Sequence, residues 1–274
     1  MLTMVEVRTV SGQTLPLPLQ DVTGGYVVRE IDGLDPVKAS IVSSRLAQVD
    51  GTVYQASRRD SRNIIIRLGF EPDYVNTTIR DLRQNLYRYL MPKSEVILRF
   101  YLEGEAFVDI SGRVESFETN LFAKDPQVDI SVMCFDPDFY SLDTTLVTGQ
   151  ASSVIEWTEF EYEGGVETGF EFEITVNRSL SGFSIYHEGS GNQQRRFEFD
   201  GALLSGDVVT IDSRTGKKGA TRLRGGTATS VLYGVTPASN WLELYPGPNS
   251  LRVQVQAGTP VPWKINYVAK YGGL

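Results

Sequence analysis

Cysteine and histidine are nearly absent from the sequence, since only Cys134 and His187 occur among its 274 residues. A lone cysteine forms no disulfide within the chain, and a thiolate metal site needs several ligands. We therefore expect no disulfide, no metal and no cofactor, and synthesis in a reducing compartment. Apolar runs also stay well short of the ~20 residues that a membrane helix requires, so membrane insertion is not expected.

A basic patch is also lacking. The chain holds 26 Lys and Arg against 34 Asp and Glu, which gives a formal net charge of −8. Proteins that bind nucleic acid concentrate positive charge on one face or tail, where it neutralises phosphates. The sequence has no such cluster, and this disfavours binding to nucleic acid.

The first half of the chain predicts strands around a single helix. Tyr26–Ile31 and Asn63–Phe70 are rich in branched and aromatic residues, and Glu103-Gly104-Glu105 separates two further strands as a hairpin turn would. The period then changes to helical spacing along an apolar stripe: Val75, Ile79, Leu82, Leu86 and Leu90. Asp73 is the expected N-cap of this helix, and Pro92 is expected to end it.

The second half predicts strands alone. Phe170, Phe172 and Ile174 alternate with glutamates, and Gly, Asn and Pro turns separate many short strands of this kind. The expected fold is mainly β, with an N-terminal β-barrel-like (split-barrel) domain that carries one helix, followed by a C-terminal antiparallel β-sandwich. We place the domains at 1–141 and 153–274, with a weakly periodic Thr- and Ser-rich segment between them.

No catalytic residue is predicted. His187 has no acid or nucleophile at a recognisable spacing, because Gly189-Ser190-Gly191 lacks the nucleophile-elbow pattern. Glu159, Glu161 and Glu163 share one face of a strand, which is typical of a solvated sheet surface. Two alternatives stay open: a glycan-degrading enzyme built on carboxylates, and a carbohydrate-binding module in which tryptophans and tyrosines stack on sugars.

Arg58, Arg59, Asp60 and Arg62 form the densest charge cluster of the sequence. We expect them in a loop before the apolar strand Ile64–Ile66. Arginine is favoured at interfaces because its planar fork pairs with carboxylates. The hypothesis is that these three arginines meet acidic residues of a neighbouring subunit.

Four stretches resemble the distal tail (Dit) proteins of long non-contractile phage tails. The first carries the pattern C-x-D-P-x-F-Y at the end of the first domain, and the third is similar to the family's L-x-P-G-x-N-x-I, with Leu251 in the place of the final Ile. In order, the four are Met133–Tyr140, Val208–Asp212, Trp241–Leu251 and Tyr267–Tyr271. Their order and spacing are similar to those of the family, and the layout of elements agrees over nearly the whole chain.

The resemblance implies a structural protein of the virion, made in the host cytoplasm, whose N-terminal domains form a hexameric ring. It implies a galectin-like C-terminal sandwich and, as partners, the tail tube protein, the tail-associated hub protein and other receptor-binding or baseplate proteins. DNA would pass through the channel without specific binding, since an acidic wall repels phosphates. Glu103 and Glu105 are the residues that we expect to line this channel.

Overall fold

The computed structural model describes residues 1–21, 24–45, 47, 50–120, 123–191 and 193–274. They divide into two compact units. The first unit comprises Met1–Leu142 together with the last four residues, Tyr271–Leu274, and the second comprises Asp143–Lys270. In this part of the chain, no helix has both the length and the apolar character needed to cross a membrane.

The first unit consists of strands and one α-helix. Its elements are β1 (Leu2–Thr9), β2 (Thr14–Pro18), β3 (Tyr26–Asp32), β4 (Ala39–Ser44), β5 (Val53–Arg59), β6 (Arg62–Phe70), α1 (Ile79–Leu90), β7 (Glu95–Leu102), β8 (Glu105–Asn120), β9 (Gln127–Cys134) and the start of β10 (Phe139–Ala151). Antiparallel ladders join seven strands in the order β2-β1-β7-β8-β9-β6-β3. The end strands β2 and β3 lie close to each other, which gives the predicted barrel-like form.

The interior of this barrel follows directly from the alternation in the sequence. Val128, Ile130 and Val132 on β9 are fully buried, and Arg67 and Asp129 face each other on the opposite side of the sheet. Successive side chains of a strand point to opposite faces, so every second residue enters the core. The predicted hairpin around Glu103-Gly104-Glu105 is present between β7 and β8.

The helix begins later than the sequence predicted. Thr78 is the N-cap, and its hydroxyl and the Asp81 carboxylate form a reciprocal capping box. The prediction that Asp73 caps the helix is wrong. Its carboxylate instead accepts hydrogen bonds from the backbone N–H groups of Val75, Asn76 and Thr77, and so organises the turn before the helix. The Asn76 side-chain amide also donates to this carboxylate, and together with the backbone donors it lowers the pKa of Asp73 well below the usual range.

The apolar stripe of α1 is confirmed from Leu82 onward. Leu82, Leu86 and Leu90 are buried in the same core as the barrel strands, whereas Val75 is 87% exposed and lies outside the helix. The helix ends at Leu90, and Met91 before Pro92 is extended, as a residue preceding proline prefers.

The second unit is a sandwich of two antiparallel sheets. Its strands are β11 (Thr158–Tyr162), β12 (Thr168–Gly169), β13 (Glu171–Thr175), β14 (Leu180–Gly189), β15 (Gln193–Leu203), β16 (Val208–Asp212), β17 (Gly219–Arg224), β18 (Thr227–Ser230), β19 (Glu243–Leu244), β20 (Gly247–Gln254) and β21 (Val261–Tyr271). One sheet has the order β18-β17-β16-β13-β21 and the other β11-β20-β14-β15, and β12 and β19 form a separate two-stranded pair. Phe172 and Phe183 meet between the two sheets with their ring centres 5.8 Å apart.

We expect Leu86→Ala to lower the free energy of unfolding by about 2–5 kcal/mol, because Leu86 is fully buried and the truncation leaves a cavity. The control Arg80→Ala, on the exposed side of the same helix, is expected to change it by less than about 0.5 kcal/mol. Urea unfolding followed by far-UV circular dichroism measures both. Equal losses would show that the two faces of α1 are wrongly assigned.

Candidate assembly surface

The hairpin β4–β5 stands apart from the barrel sheet. The two strands pair with each other, and in the described residues neither has a further strand partner. All seven residues of β5 are exposed. An isolated two-stranded hairpin is at best marginally stable in water. Because each strand pairs on one edge, the other edge of each carries a row of backbone N–H and C=O groups that another chain could pair with.

Apolar side chains project from both faces of this hairpin. Ile41 lies opposite Ser57 and Val42 lies opposite Ala56, and neighbouring pairs in a ladder point to opposite faces. Ile41, Val42 and Tyr54 are 68%, 52% and 62% exposed. Exposed apolar groups on a hairpin with free edges favour contact with another protein surface. The signal in the sequence is weak, because Thr52–Arg59 has no regular alternation of apolar and polar residues.

The three arginines do not lie in one loop, so this part of the prediction is wrong. Arg58 and Arg59 end β5, and Arg62 begins β6. Arg58 is exposed and lies 3.9 Å from Asp60. Arg59 forms a two-point ion pair with the buried carboxylate of Asp138, which anchors the base of the hairpin.

Arg62 is buried within its own unit, with only 1% of its surface exposed. Its Nε donates to the carbonyl of Pro137 at 2.8 Å, and its Nη1 to the carbonyls of Gly33 at 2.5 Å and Asp35 at 2.7 Å. Its Nη2 donates to the carbonyl of Gly272 at 2.5 Å. The guanidinium is not accessible to a neighbouring subunit, so we no longer propose Arg62 as an interface residue.

The surroundings of Arg62 also shift the pKa of its guanidinium and the pKa of the nearby Cys134 thiol. The guanidinium lies over the Phe139 ring, 4.4 Å from its centre, and burial lowers its pKa from the ordinary value. Arginine nevertheless stays charged in proteins. Burial raises the pKa of the nearby Cys134 thiol to about 12, so this cysteine is not a reactive thiolate.

Glu103 and Glu105 flank the turn between β7 and β8. Glu103 has a backbone φ of 54° and Gly104 a φ of 92°, which is the positive pair that a tight hairpin turn needs. The Glu103 carboxylate lies 3.6 Å from the terminal amine of Met1, with both groups nearly fully exposed. An ion pair that is this exposed contributes little to the free energy of folding. Both acids are thus displayed to solvent, and their place in a channel stays a prediction.

The residues considered for catalysis are separated in the structure. His187 is 1% exposed, its Nε2 lies 3.0 Å from the Asn249 side-chain oxygen, and burial lowers its pKa. Glu159, Glu161 and Glu163 lie on an exposed face. Among the described residues, no three His, Cys, Asp or Glu side chains lie close enough together to hold a metal ion.

Comparison with known proteins supports the motif-based resemblance. Residues 163–271 match the family model described as "Siphovirus-type tail component, C-terminal domain". The crystal structure of the Dit (gp 19.1) protein of phage SPP1 is similar to the chain with a TM-score of 0.67 and 16% identity, over 96% of this chain and 98% of that one. The resemblance to distal tail proteins is thereby confirmed, and so is the fold class.

Two structures of the phage p2 baseplate in its activated conformation are more distant. The one with Sr matches at 9% identity and a TM-score of 0.44, and the one with Ca at 10% and 0.43, each over 97% of this chain and 98% of that chain. These scores are too low to support an argument. No curated protein matches the sequence.

We expect Arg62→Met to destabilise the chain by at least about 3 kcal/mol, because the buried guanidinium is lost and its four carbonyl partners lose their donor at once. The matched variant Arg58→Met removes an arginine that is 83% exposed and is expected to cost less than about 0.5 kcal/mol. Urea unfolding compares the two. An Arg62 variant as stable as the parent would mean that these contacts do not hold the unit together.

Proposed function

We propose that the chain is a structural protein of the distal end of a phage tail, without catalytic activity, that assembles as a hexameric ring between the tail tube and the tail-tip hub. The family match over residues 163–271 and the fold shared with the SPP1 Dit protein support the tail role. The SPP1 protein is regarded as a paradigm of the hub adsorption apparatus in phages that infect Gram-positive bacteria. The tail tube protein, the hub protein and other baseplate proteins are the proposed partners.

The proposal of a ring rests mainly on the exposed hairpin β4–β5. A ring needs a heterologous contact, in which one surface of each copy meets a different surface of the next. The hairpin supplies one such surface, with apolar groups on both faces and free strand edges. Tyr74, Val75, Met91 and Phe135 of the same unit are more than half exposed and offer apolar surface for the neighbour's hairpin.

The negative net charge of the chain is compatible with the passage of DNA through such a ring. The net charge of −8 and the lack of a basic stripe favour a wall that repels phosphates. We propose Glu103 and Glu105 as channel-lining residues, because both are exposed at the tip of a hairpin turn. Arg58, near the end of β5, is 83% exposed despite its long ion pair with Asp60, and we propose that it pairs with an acidic residue of the next copy.

We expect the double variant Ile41→Asp, Tyr54→Asp to abolish the ring and leave the melting temperature of the monomer nearly unchanged. Each carboxylate would have to be buried unpaired at the contact, whereas in the monomer both positions stay in water. Light scattering and negative-stain images, alone and with the tail tube and hub proteins, measure assembly. The parent is expected to form particles of six 30.5 kDa copies.

The matched control is Val10→Asp, a substitution at a 76% exposed residue in the turn between β1 and β2. This variant is expected to assemble like the parent. A hairpin variant that assembles as well as Val10→Asp would remove the hairpin from the interface. A parent that stays monomeric even with both partners would overturn the ring itself.

A further inference from the structure

A groove of about 450 Å³ runs along the outer face of the sheet β11-β20-β14-β15, in the second unit. Its floor is formed by the small outward residues of the central strand β14, Gly182 and Ser184. In the ladders, Ser184 lies between Glu198 and Gln254, whose side chains are much longer. Cross-strand partners stand side by side on one face. The groove therefore arises because small residues on the central strand alternate with large ones on its neighbours.

Tyr186, the next outward residue of β14, closes one end of the groove. It lies between Arg196 and Arg252 in the two ladders, with guanidinium carbons 5.4 Å and 4.0 Å from its ring centre. Arg252 also lies over the Trp157 ring at 5.3 Å, and Arg196 forms an ion pair with Glu198. These contacts hold the end wall in one conformation, which lowers the entropic cost of binding a ligand.

The lining of the groove consists mainly of uncharged polar groups and acids. Its hydroxyl, carboxamide and carboxylate groups are those of Ser181, Ser184, Thr236, Gln254, Gln256 and Glu198. The lining therefore offers both hydrogen-bond donors and hydrogen-bond acceptors. Asp200 adds a second carboxylate, and Arg196 is paired with Glu198, so the groove attracts no anion. Within the described residues, the Tyr186 hydroxyl has no hydrogen-bond partner and is left for a ligand.

We propose that this groove binds a neutral saccharide. A polyol presents both a donor and an acceptor at every hydroxyl, which matches the mixed lining, and the carboxylates of Glu198 and Asp200 disfavour phosphorylated or carboxylated sugars. The volume falls in the range of small-molecule sites and suits roughly one or two sugar rings. Every lining residue belongs to the second unit, so the proposal is independent of the ring.

Saturation-transfer difference NMR on the full chain tests this, with glucose, galactose, N-acetylglucosamine, N-acetylgalactosamine and their common disaccharides as probes. We expect signals from at least one probe. Ser184→Leu, which fills the floor, should abolish them, whereas the control Ser230→Leu, on the exposed edge strand β18, should keep them. Tyr186→Phe removes one hydrogen-bonding group and should weaken binding roughly tenfold.

Circular dichroism and melting of each variant separate loss of the site from loss of the fold, and Tyr186→Phe still decides the matter if Ser184→Leu does not fold. Absence of signal with every probe would overturn the proposal. The same conclusion follows if Ser184→Leu binds sugar as well as Ser230→Leu does. If Ser184→Leu loses only its binding to a tail protein, the groove is a protein-docking surface and the saccharide assignment is wrong.

Discussion

The guanidinium of Arg62 is where distant segments of the first unit meet. Its N–H groups donate to carbonyls at Gly33, Asp35, Pro137 and Gly272, and the last of these lies 210 residues away in sequence. A buried charge is costly unless it is fully hydrogen-bonded, so the charge stabilises the unit only while all of these carbonyls stay in place. The end of the chain is thereby fixed to the first unit, and the hairpin β4–β5 ends shortly before this site in the sequence.

In contrast to the buried Arg62 site, most of the hairpin β4–β5 is exposed to water. Arg59 and Asp138 hold its base, but beyond them every residue of β5 is exposed and the apolar groups Ile41 and Tyr54 remain in water. An isolated chain gains nothing from that exposure. Burial against another copy would return roughly 25 cal/mol for each Å² of apolar surface removed from water. Burial of this kind is what the proposed ring would supply to the hairpin.

In the second unit, the same alternation gives the two faces of one sheet different roles. Phe183 and Ile185 on β14 enter the core between the sheets, and Ser184 and Tyr186 between them face outward. The core needs large apolar residues at every second position, but the outward positions are free of that constraint. Small residues there leave space for a groove without any cost to packing, so a binding site and a stable sandwich are compatible.

The amino-acid sequence determined the features that depend on local periodicity: the strands β6 and β9, the stripe Leu82–Leu86–Leu90 of the helix, and the hairpin turn at Gly104. It did not determine the start of the helix, because Asp73 and Thr78 both present an oxygen to backbone N–H groups and only their relative placement selects the cap. Nor did it reveal that Arg62 is buried or that β4–β5 is left without a sheet. An arginine is usually exposed, and its carbonyl partners here come from segments 27 to 210 residues away. Such partners exist only once the tertiary structure has brought them together, so no local pattern records them.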